Sequence, residues 1–331
     1  MTALLLSLAP GLLAGQGGRN EEFYYPGAFN WQFLRVYPDA ARLFNAFDYG
    51  HAILYERLLV DPTGSVDRLE HREFRYLVDD LLRRPPRFSV AEEAIMPRYS
   101  RTVWRAKLMF ERAHVLHRQL YDVYADERLS TEQQVGLVEA LTDRYLADRD
   151  YAFTDQPKAM ALMDEQYFSQ VFRVGYPKFN GLIWAYHWLQ VGLYEPLIAE
   201  HDVAAKRAGV DSTVARFWAM VDGAPAALPT VMPMTSAVAP HFSGRHPRAA
   251  IIFDNLHMMH DIISDVLASP KVAPGDKARV IEAALDEFQN PISNVISIEH
   301  WRMMADHMGG VEAMGGVAGR PAASRSDHRH H

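Results

Sequence analysis

One segment of the chain, residues 179–199, is apolar around almost the whole circumference of a helix. Its sequence is FNGLIWAYHWLQVGLYEPLIA. A helix that is hydrophobic on all sides is normally buried at the centre of a larger assembly of helices. Its polar exceptions His187, Gln190 and Tyr194 fall on one seam. Because buried polar groups must find partners or cost several kcal/mol, this seam is expected to face other polar groups in the interior.

Further segments with helical periodicity are expected to pack around this central one. They cover residues 38–59, 66–84, 101–126, 130–148, 156–172, 201–221, 249–269, 274–288 and 294–307. No run of alternating β-branched residues indicates a sheet. The predicted fold is therefore all-α, a large multi-helix bundle with a long proline-rich loop at residues 222–248.

The two ends of the chain differ in composition from the part between them. Residues 1–20 contain a short apolar run followed by small residues, which predicts either a signal peptide or a flexible N-terminus. Residues 309–331 are rich in Gly, Ala, Ser and Arg and predict a disordered tail. Residues 21–308 are expected to form a single helical domain. A signal peptide would make the protein periplasmic or secreted, whereas a flexible N-terminus would leave it cytoplasmic.

Composition excludes several classes of function. The chain contains no cysteine, which excludes disulfides, thiolate metal sites, iron–sulfur clusters and covalently attached haem. Its formal net charge is −7 and it has no basic stripe interleaved with aromatic residues, so nucleic acid is not an expected partner. It has no glycine-rich phosphate loop, and no transmembrane segment is expected. Any metal would have to be held by His, Asp, Glu or Tyr.

Four of the predicted helices carry histidine close to a carboxylate, an amide or a phenol. The groups are Asp48, His51 and Tyr55; Glu111, His114, His117 and Tyr121; His187, Gln190 and Tyr194; and Asp254, His257, His260 and Asp261. An acidic residue three positions before a histidine places both side chains on adjacent turns of one face, as in carboxylate-bridged di-iron bundles.

The number of such acidic–histidine pairs is close to what this composition gives by chance. Glu111 and Asp254 also fall on the polar sides of their helices, where contact with solvent explains them more simply. The more informative observation is the position of two histidines. His51 and His187 lie on helix faces that are otherwise apolar, so they are expected to converge in the interior.

We therefore expect a metal site in the interior of the bundle. The candidate ligands are Asp48, His51, Glu111, His114, His117, His187, His257, His260 and Asp261. Carboxylates beside histidines favour non-haem iron, with two ions expected. Tyr55, Tyr121 and Tyr194 would tune the metal through hydrogen bonds to its ligands. The expected activity is oxidation of a small organic molecule with dioxygen, served by a redox partner that the sequence does not specify.

Two alternatives remain open from the sequence. One is a non-covalent haem protein in which His51 or His187 is the axial ligand and Trp184, Tyr186 and Trp188 pack against the macrocycle. The other is a metal-free helical binding module whose polar seams are internal hydrogen-bond networks. The inward positions contain more His than Glu, which departs from the familiar di-iron pattern, and the sequence indicates no family.

Overall fold

The computed structural model describes residues 32–62 and 64–319, and long helices dominate these residues. The helices of ten residues or more are α1 Pro38–Val60, α2 Trp104–Ala125, α3 Thr131–Ala147, α4 Pro177–Gly192, α5 Val203–Asp222, α6 Pro247–Ala268, α7 Lys277–Gln289 and α8 Ile298–His307. The described residues form no β-strand, and a single isolated bridge joins Lys158 to Val295. The predicted all-α bundle is confirmed.

Shorter helical segments connect these helices. The α-helical ones are Gln32–Val36, Ser65–Asp67, Pro97–Thr102, Ala161–Asp164, Val171–Gly175, Tyr194–Ala199, Thr235–Val238 and Pro240–Arg245. Glu92–Ala94, Pro274–Asp276 and Val311–Met314 are 3₁₀ turns. The helix expected at residues 66–84 is present, but it consists largely of the π-helical turns Arg68–Glu73 and Tyr76–Leu81, a geometry that periodicity does not predict.

Helices α1, α2, α4 and α6 form the centre of the bundle. Helix α6 packs against α1, α2 and α7, while α4 packs against α1 and α5. Every residue of α4 from Phe179 to Gly192 is buried, as its apolar circumference predicts. Helix α6 is also buried on all sides, from Ala249 to Leu267. Because α6 carries acidic residues and histidines as well as apolar ones, it brings polar groups into the core.

The prediction of one helix over residues 156–172 is wrong. That stretch contains only the short helices Ala161–Asp164 and Val171–Gly175. Asn255 of α6 donates hydrogen bonds from its Nδ2 to the carbonyl oxygens of Thr154 and Gln156, at 2.8 and 3.0 Å. These carbonyls serve a partner that is distant in sequence, so tertiary contacts and not local propensity determine the path of the backbone there.

The proline-rich residues 222–248 pack into the core. They contain Thr235–Val238 and Pro240–Arg245, and Met232, Met234 and Phe242 are buried. The expected long loop is thus a folded connection between α5 and α6. Thr235–Val238 packs against both α4 and α6, and Pro240–Arg245 packs against α6.

Residues 309–319, which composition assigns to a disordered tail, are ordered. Met314 and Ala318 are buried, and the carbonyl oxygen of Gly316 accepts a hydrogen bond from Trp188 Nε1 at 2.7 Å. The rest of the expected tail and the expected signal peptide or flexible N-terminus lie outside the described residues. None of the described helices combines the length and the apolar composition that a bilayer-spanning helix needs.

Candidate metal centre

Six buried histidines from the four central helices meet in the interior, and we call them the six-histidine cluster. They are His51 from α1, His114 and His117 from α2, His187 from α4, and His257 and His260 from α6. None is more than 4% exposed. The expected convergence of His51 and His187 is observed, because their Nε2 atoms lie 3.4 Å apart.

Aromatic side chains hold the histidine rings in place. The ring of Phe47 lies edge-on to that of His51, with centroids 3.9 Å apart, and the ring of His260 stacks on His51 at 3.8 Å. Phe253 stacks on His117 at 3.4 Å. Because close packing fixes side-chain orientation, the ring nitrogens have defined directions without needing hydrogen bonds to set them.

Three of these histidines, His51, His187 and His260, form what we call the three-histidine group. One ring nitrogen of each lies within 4.8 Å of the others. Two nitrogens bound to one ion at about 2.0–2.1 Å with tetrahedral angles would lie about 3.3–3.4 Å apart, which agrees with the distance between the Nε2 atoms of His51 and His187. The hydroxyl of Tyr55 lies 2.5 Å from His260 Nδ1, so Nε2 is the nitrogen of His260 that remains for the group.

Every member of the six-histidine cluster has at least one buried ring nitrogen without a hydrogen-bond partner. These atoms are His51 Nδ1, His114 Nδ1 and Nε2, His117 Nε2, His187 Nδ1, His257 Nδ1 and His260 Nε2. Buried polar atoms in folded proteins are nearly always paired. These unpaired nitrogens are therefore available to bind a metal ion.

The histidines of the cluster are neutral at neutral pH. Burial lowers the pKa of His114 and of His257 to about 3. Burial and the neighbouring histidines lower the pKa values of His51, His187 and His260 well below their usual range. A neutral imidazole has a lone pair to donate, and it is the form that binds metal ions.

A second group that could hold a metal consists of Asp48, Glu92 and His114, and we call it the carboxylate group. One ligand atom of each lies within 4.8 Å of the others, and all three residues are buried. Asp48 and His114 were expected as ligands from the sequence. Glu92 was not, because it lies in the 3₁₀ turn Glu92–Ala94, where no helical periodicity connects it to a histidine.

The two other acidic candidates have partners outside these groups. Glu111 Oε1 lies 2.5 Å from Lys107 Nζ, one turn earlier on α2. Asp261 accepts a hydrogen bond from Trp184 Nε1 at 3.2 Å and faces Arg173. The expectation that Glu111 and Asp254 face solvent is wrong, since they are only 7% and 2% exposed. Buried cations or donors satisfy them in place of water.

The remaining candidates lie at the other end of the six-histidine cluster. His117 Nδ1 is 2.9 Å from the Tyr194 hydroxyl, and His257 Nε2 is 3.3 Å from Gln190 Oε1. Tyr121 stacks on Tyr194 with centroids 4.5 Å apart and donates a hydrogen bond to the Gln190 carbonyl. Of the three candidate tyrosines, Tyr55 is therefore the one bonded to a member of the three-histidine group.

Aromatic rings pack closely around His51, one of the two histidines expected as a haem ligand. Phe47 and His260 both lie within 4 Å of the His51 ring, centroid to centroid. The tryptophans expected to pack against haem are engaged elsewhere. Trp184 bonds to Asp261, and Trp188 bonds to Gly316.

No protein-family model matches this chain, and neither a curated protein nor a solved structure matches it. Function therefore has to be argued from the chemistry of the interior residues. Their arrangement provides groups of histidine and carboxylate side chains that could bind metal in an all-α bundle.

Proposed function

We propose that the three-histidine group binds a non-haem metal ion, and that this centre oxidises a small organic molecule with dioxygen. The observation that carries the proposal is the convergence of one ring nitrogen each from three buried, neutral histidines on α1, α4 and α6, each of which also has a ring nitrogen without a hydrogen-bond partner. A structural histidine needs a hydrogen-bond partner when buried. Three histidines that meet at one point, each with one ring nitrogen lacking a partner, are better explained as ligands.

Iron is the ion that the surroundings favour. Imidazole ligands suit iron, copper, zinc and nickel, whereas carboxylates suit harder ions. The carboxylate group lies beside the three-histidine group, since the rings of His51 and His114 are parallel with centroids 5.7 Å apart. Iron accepts both types of ligand. Tyr55 is hydrogen-bonded to His260 and stacks on Tyr99 with centroids 4.8 Å apart, which places a phenol where it can tune a redox-active ion.

Three protein ligands leave a coordination position for a small molecule. A redox-active metal held by the three-histidine group would supply the electrons that dioxygen needs in order to react with an organic substrate. The residues of the chain exclude bulk water, because His51, His187 and His260 are at most 1% exposed. An external reductant would return the metal to its reduced state.

The test is metal content after anaerobic loading with Fe²⁺. The full-length chain should carry serine in place of His328, His330 and His331, so that terminal histidines do not bind metal. We expect about one or more ions per chain, and about one ion fewer in His51→Ala and in His187→Ala, with helical circular dichroism retained. His246→Gln is the matched control, because His246 is buried but bonds to Tyr124 and lies outside the cluster.

Three outcomes would contradict parts of the proposal. If wild-type protein retains less than about 0.2 ion per chain after loading, the metal site is contradicted and the metal-free binding module becomes the favoured function. A Soret band in the purified protein would identify haem. Protein that binds about one metal ion per chain but consumes no dioxygen when a reductant is added would support the metal site and contradict the oxidase activity. A redox-inactive ion such as zinc would give that result.

A further inference from the structure

We propose that the carboxylate group, Asp48, Glu92 and His114, is a second cation site for an ion such as Mn²⁺ or Fe²⁺, adjacent to the three-histidine group. This extends the proposed function from one metal ion to a pair, but it rests on different residues. The ligand set of two carboxylates and one imidazole is harder than three imidazoles. It therefore suits a metal that prefers oxygen ligands.

The three side chains come from separate elements and meet in the interior. Asp48 lies on α1, Glu92 in the turn Glu92–Ala94, and His114 on α2. Each is 4% exposed, so contact with solvent does not explain their clustering. Carboxylates are almost never buried unless they are paired or bind a metal.

His114 is the observation that points to a ligand and not only to an acidic cluster. Both of its ring nitrogens are buried, and neither has a hydrogen-bond partner. One of its nitrogens lies within 4.8 Å of carboxylate oxygens of Asp48 and Glu92. A neutral imidazole beside two carboxyl groups would ordinarily donate a hydrogen bond to one of them. A cation shared by all three residues explains why it does not.

The surrounding cations balance only part of the acidic charge. Arg118 Nη2 lies 2.7 Å from Asp48 Oδ2, and Arg118 also donates to Asn45 Oδ1. Lys107 contacts Glu111 and Glu93, with Nζ–O distances of 2.5 and 2.7 Å. A divalent ion would supply the missing positive charge.

The geometry places this site beside the three-histidine group. Asp48 and His51 are three positions apart on α1, so they project from adjacent turns. The ring of His114 lies 5.7 Å from that of His51 and 5.8 Å from that of His260, centroid to centroid. Paired metal ions in enzymes lie about 3.5–4 Å apart, and ligands at this spacing can serve two such ions.

The carboxylate group is also the end of the metal centre nearest the surface. Asp48, Glu92 and His114 all line a cleft of about 30 Å³, together with Arg118 and Glu111. Such a volume holds about two water molecules. Because Glu92 and His114 line it, an exchangeable water or dioxygen could reach the second ion without displacing the helices.

The test is the binding of Mn²⁺ to the full-length chain with its terminal histidines replaced by serine. We expect about two ions per wild-type chain and a spin-coupled electron paramagnetic resonance spectrum, as two ions at the spacing of a dinuclear centre would give. Glu92→Gln should bind about one ion and give the six-line spectrum of isolated Mn²⁺, and so should His114→Gln. Glu93→Gln is the matched control, since it changes the adjacent glutamate and should leave the coupled spectrum intact.

The variants Glu92→Gln and His187→Ala distinguish failure of the second site from failure of the proposed function. One Mn²⁺ per wild-type chain that His187→Ala removes and Glu92→Gln retains would overturn the second site and leave the three-histidine centre. One ion that Glu92→Gln removes and His187→Ala retains would support the second site and show that the three-histidine group does not bind Mn²⁺. Two ions retained in both Glu92→Gln and His114→Gln, or no ion in any sample, would overturn the second site, whereas the Fe²⁺ loading described above tests the three-histidine group.

Discussion

At the scale of single residues, the hydroxyl of Tyr55 decides which nitrogen of His260 can bind a metal. It lies 2.5 Å from His260 Nδ1. If that nitrogen carries the proton and donates it to the phenol oxygen, the lone pair is on Nε2, which has no other partner. A hydrogen bond of this kind orients a histidine ligand and makes it more basic.

Tyr55→Phe should therefore weaken binding of the ion at the three-histidine group by roughly 10–100-fold, the usual effect of removing such a partner. Tyr186→Phe is the matched control. Tyr186 is also buried close to the cluster, but its hydroxyl has no hydrogen-bond partner to lose. Competition with a chromogenic chelator would measure both affinities. Equal affinity in wild type and Tyr55→Phe would show that Tyr55 does not position a ligand.

Glu111 shows why residue pattern alone does not determine the partner of a buried carboxylate. Its position three residues before His114 fits an acidic–histidine pair, yet its carboxylate contacts Lys107 four residues earlier on the same helix. A helix offers each side chain partners at three and four positions in both directions. The sequence cannot say which partner a buried carboxylate takes, because the choice depends on the elements packed against that face.

At the scale of elements, several helices begin where an acidic side chain from another element meets their backbone N–H groups. Asp122 accepts from the Phe33 amide, Glu56 from those of Arg98 and Tyr99, Asp265 from that of Phe172, Glu70 from those of Lys178 and Phe179, Asp254 from that of Thr235, and Glu195 from that of His241. The first N–H groups of a helix need acceptors, and carboxylates there also interact favourably with the helix dipole.

The capping of α4 by Glu70 can be tested. Glu70 Oε1 and Oε2 lie 2.7 and 3.1 Å from the amide nitrogens of Phe179 and Lys178. Glu70→Gln keeps one acceptor but loses the charge, so it should lower the free energy of unfolding by about 1–2 kcal/mol. Glu73→Gln, which removes a partly exposed ion pair with Arg57, should cost less than about 1 kcal/mol. Urea denaturation measures both, and equal effects would contradict a capping role.

These caps also explain where periodicity succeeded and where it failed. Helix α3 was expected from Ser130, and the structure shows a capping box in which Ser130 Oγ and Gln133 Oε1 accept from each other's backbone N–H. That signal lies within four residues, so the sequence shows it. The cap on Phe172 comes from Asp265, more than ninety residues away. The sequence of residues 156–172 does not indicate this distant cap, and the helix predicted there was wrong.

At the scale of the whole molecule, the all-α fold and the convergence of His51 and His187 followed from hydrophobic patterning. Polar residues on apolar faces had to meet in the core, because the core is where those faces pack. Hydrophobic patterning did not predict that the candidate ligands divide into the three-histidine group and the carboxylate group. Glu92 joins from a short turn, and the buried acidic residues of α6 bond to Thr235, Trp301 and Trp184. Both depend on contacts between distant segments.

The molecule also buries an unusual number of titratable groups, and they affect stability in opposite directions. Burial raises the pKa values of Asp48, Asp254 and Asp265 to about 6, so these carboxyls lose stabilising free energy as the pH rises through that value. Burial lowers the pKa of the histidines. A histidine that is neutral when folded takes up a proton on unfolding below about pH 6.5, so stability is lost as the pH falls.

A difference between two proteins isolates the histidine contribution. His117 is fully buried, its pKa is lowered well below its usual range, and it belongs to neither proposed ligand group. In His117→Gln the unfolded state has one proton fewer to gain. The metal-free variant should therefore lose less stability than metal-free wild type as the pH falls from about 6 to 5, by about 1.4 kcal/mol per pH unit. The buried carboxyls contribute equally to both proteins and cancel.

The measurement is the free energy of unfolding in urea at several pH values, with a chelator present throughout. His117→Gln loses the contact between Nδ1 and the Tyr194 hydroxyl, so its stability at pH 8 should be below that of wild type. The two curves should then approach each other as the pH falls. Parallel curves would mean that His117 is protonated to the same extent in the folded and unfolded states. Water, and not a closed aromatic interior, would then have to surround that end of the six-histidine cluster.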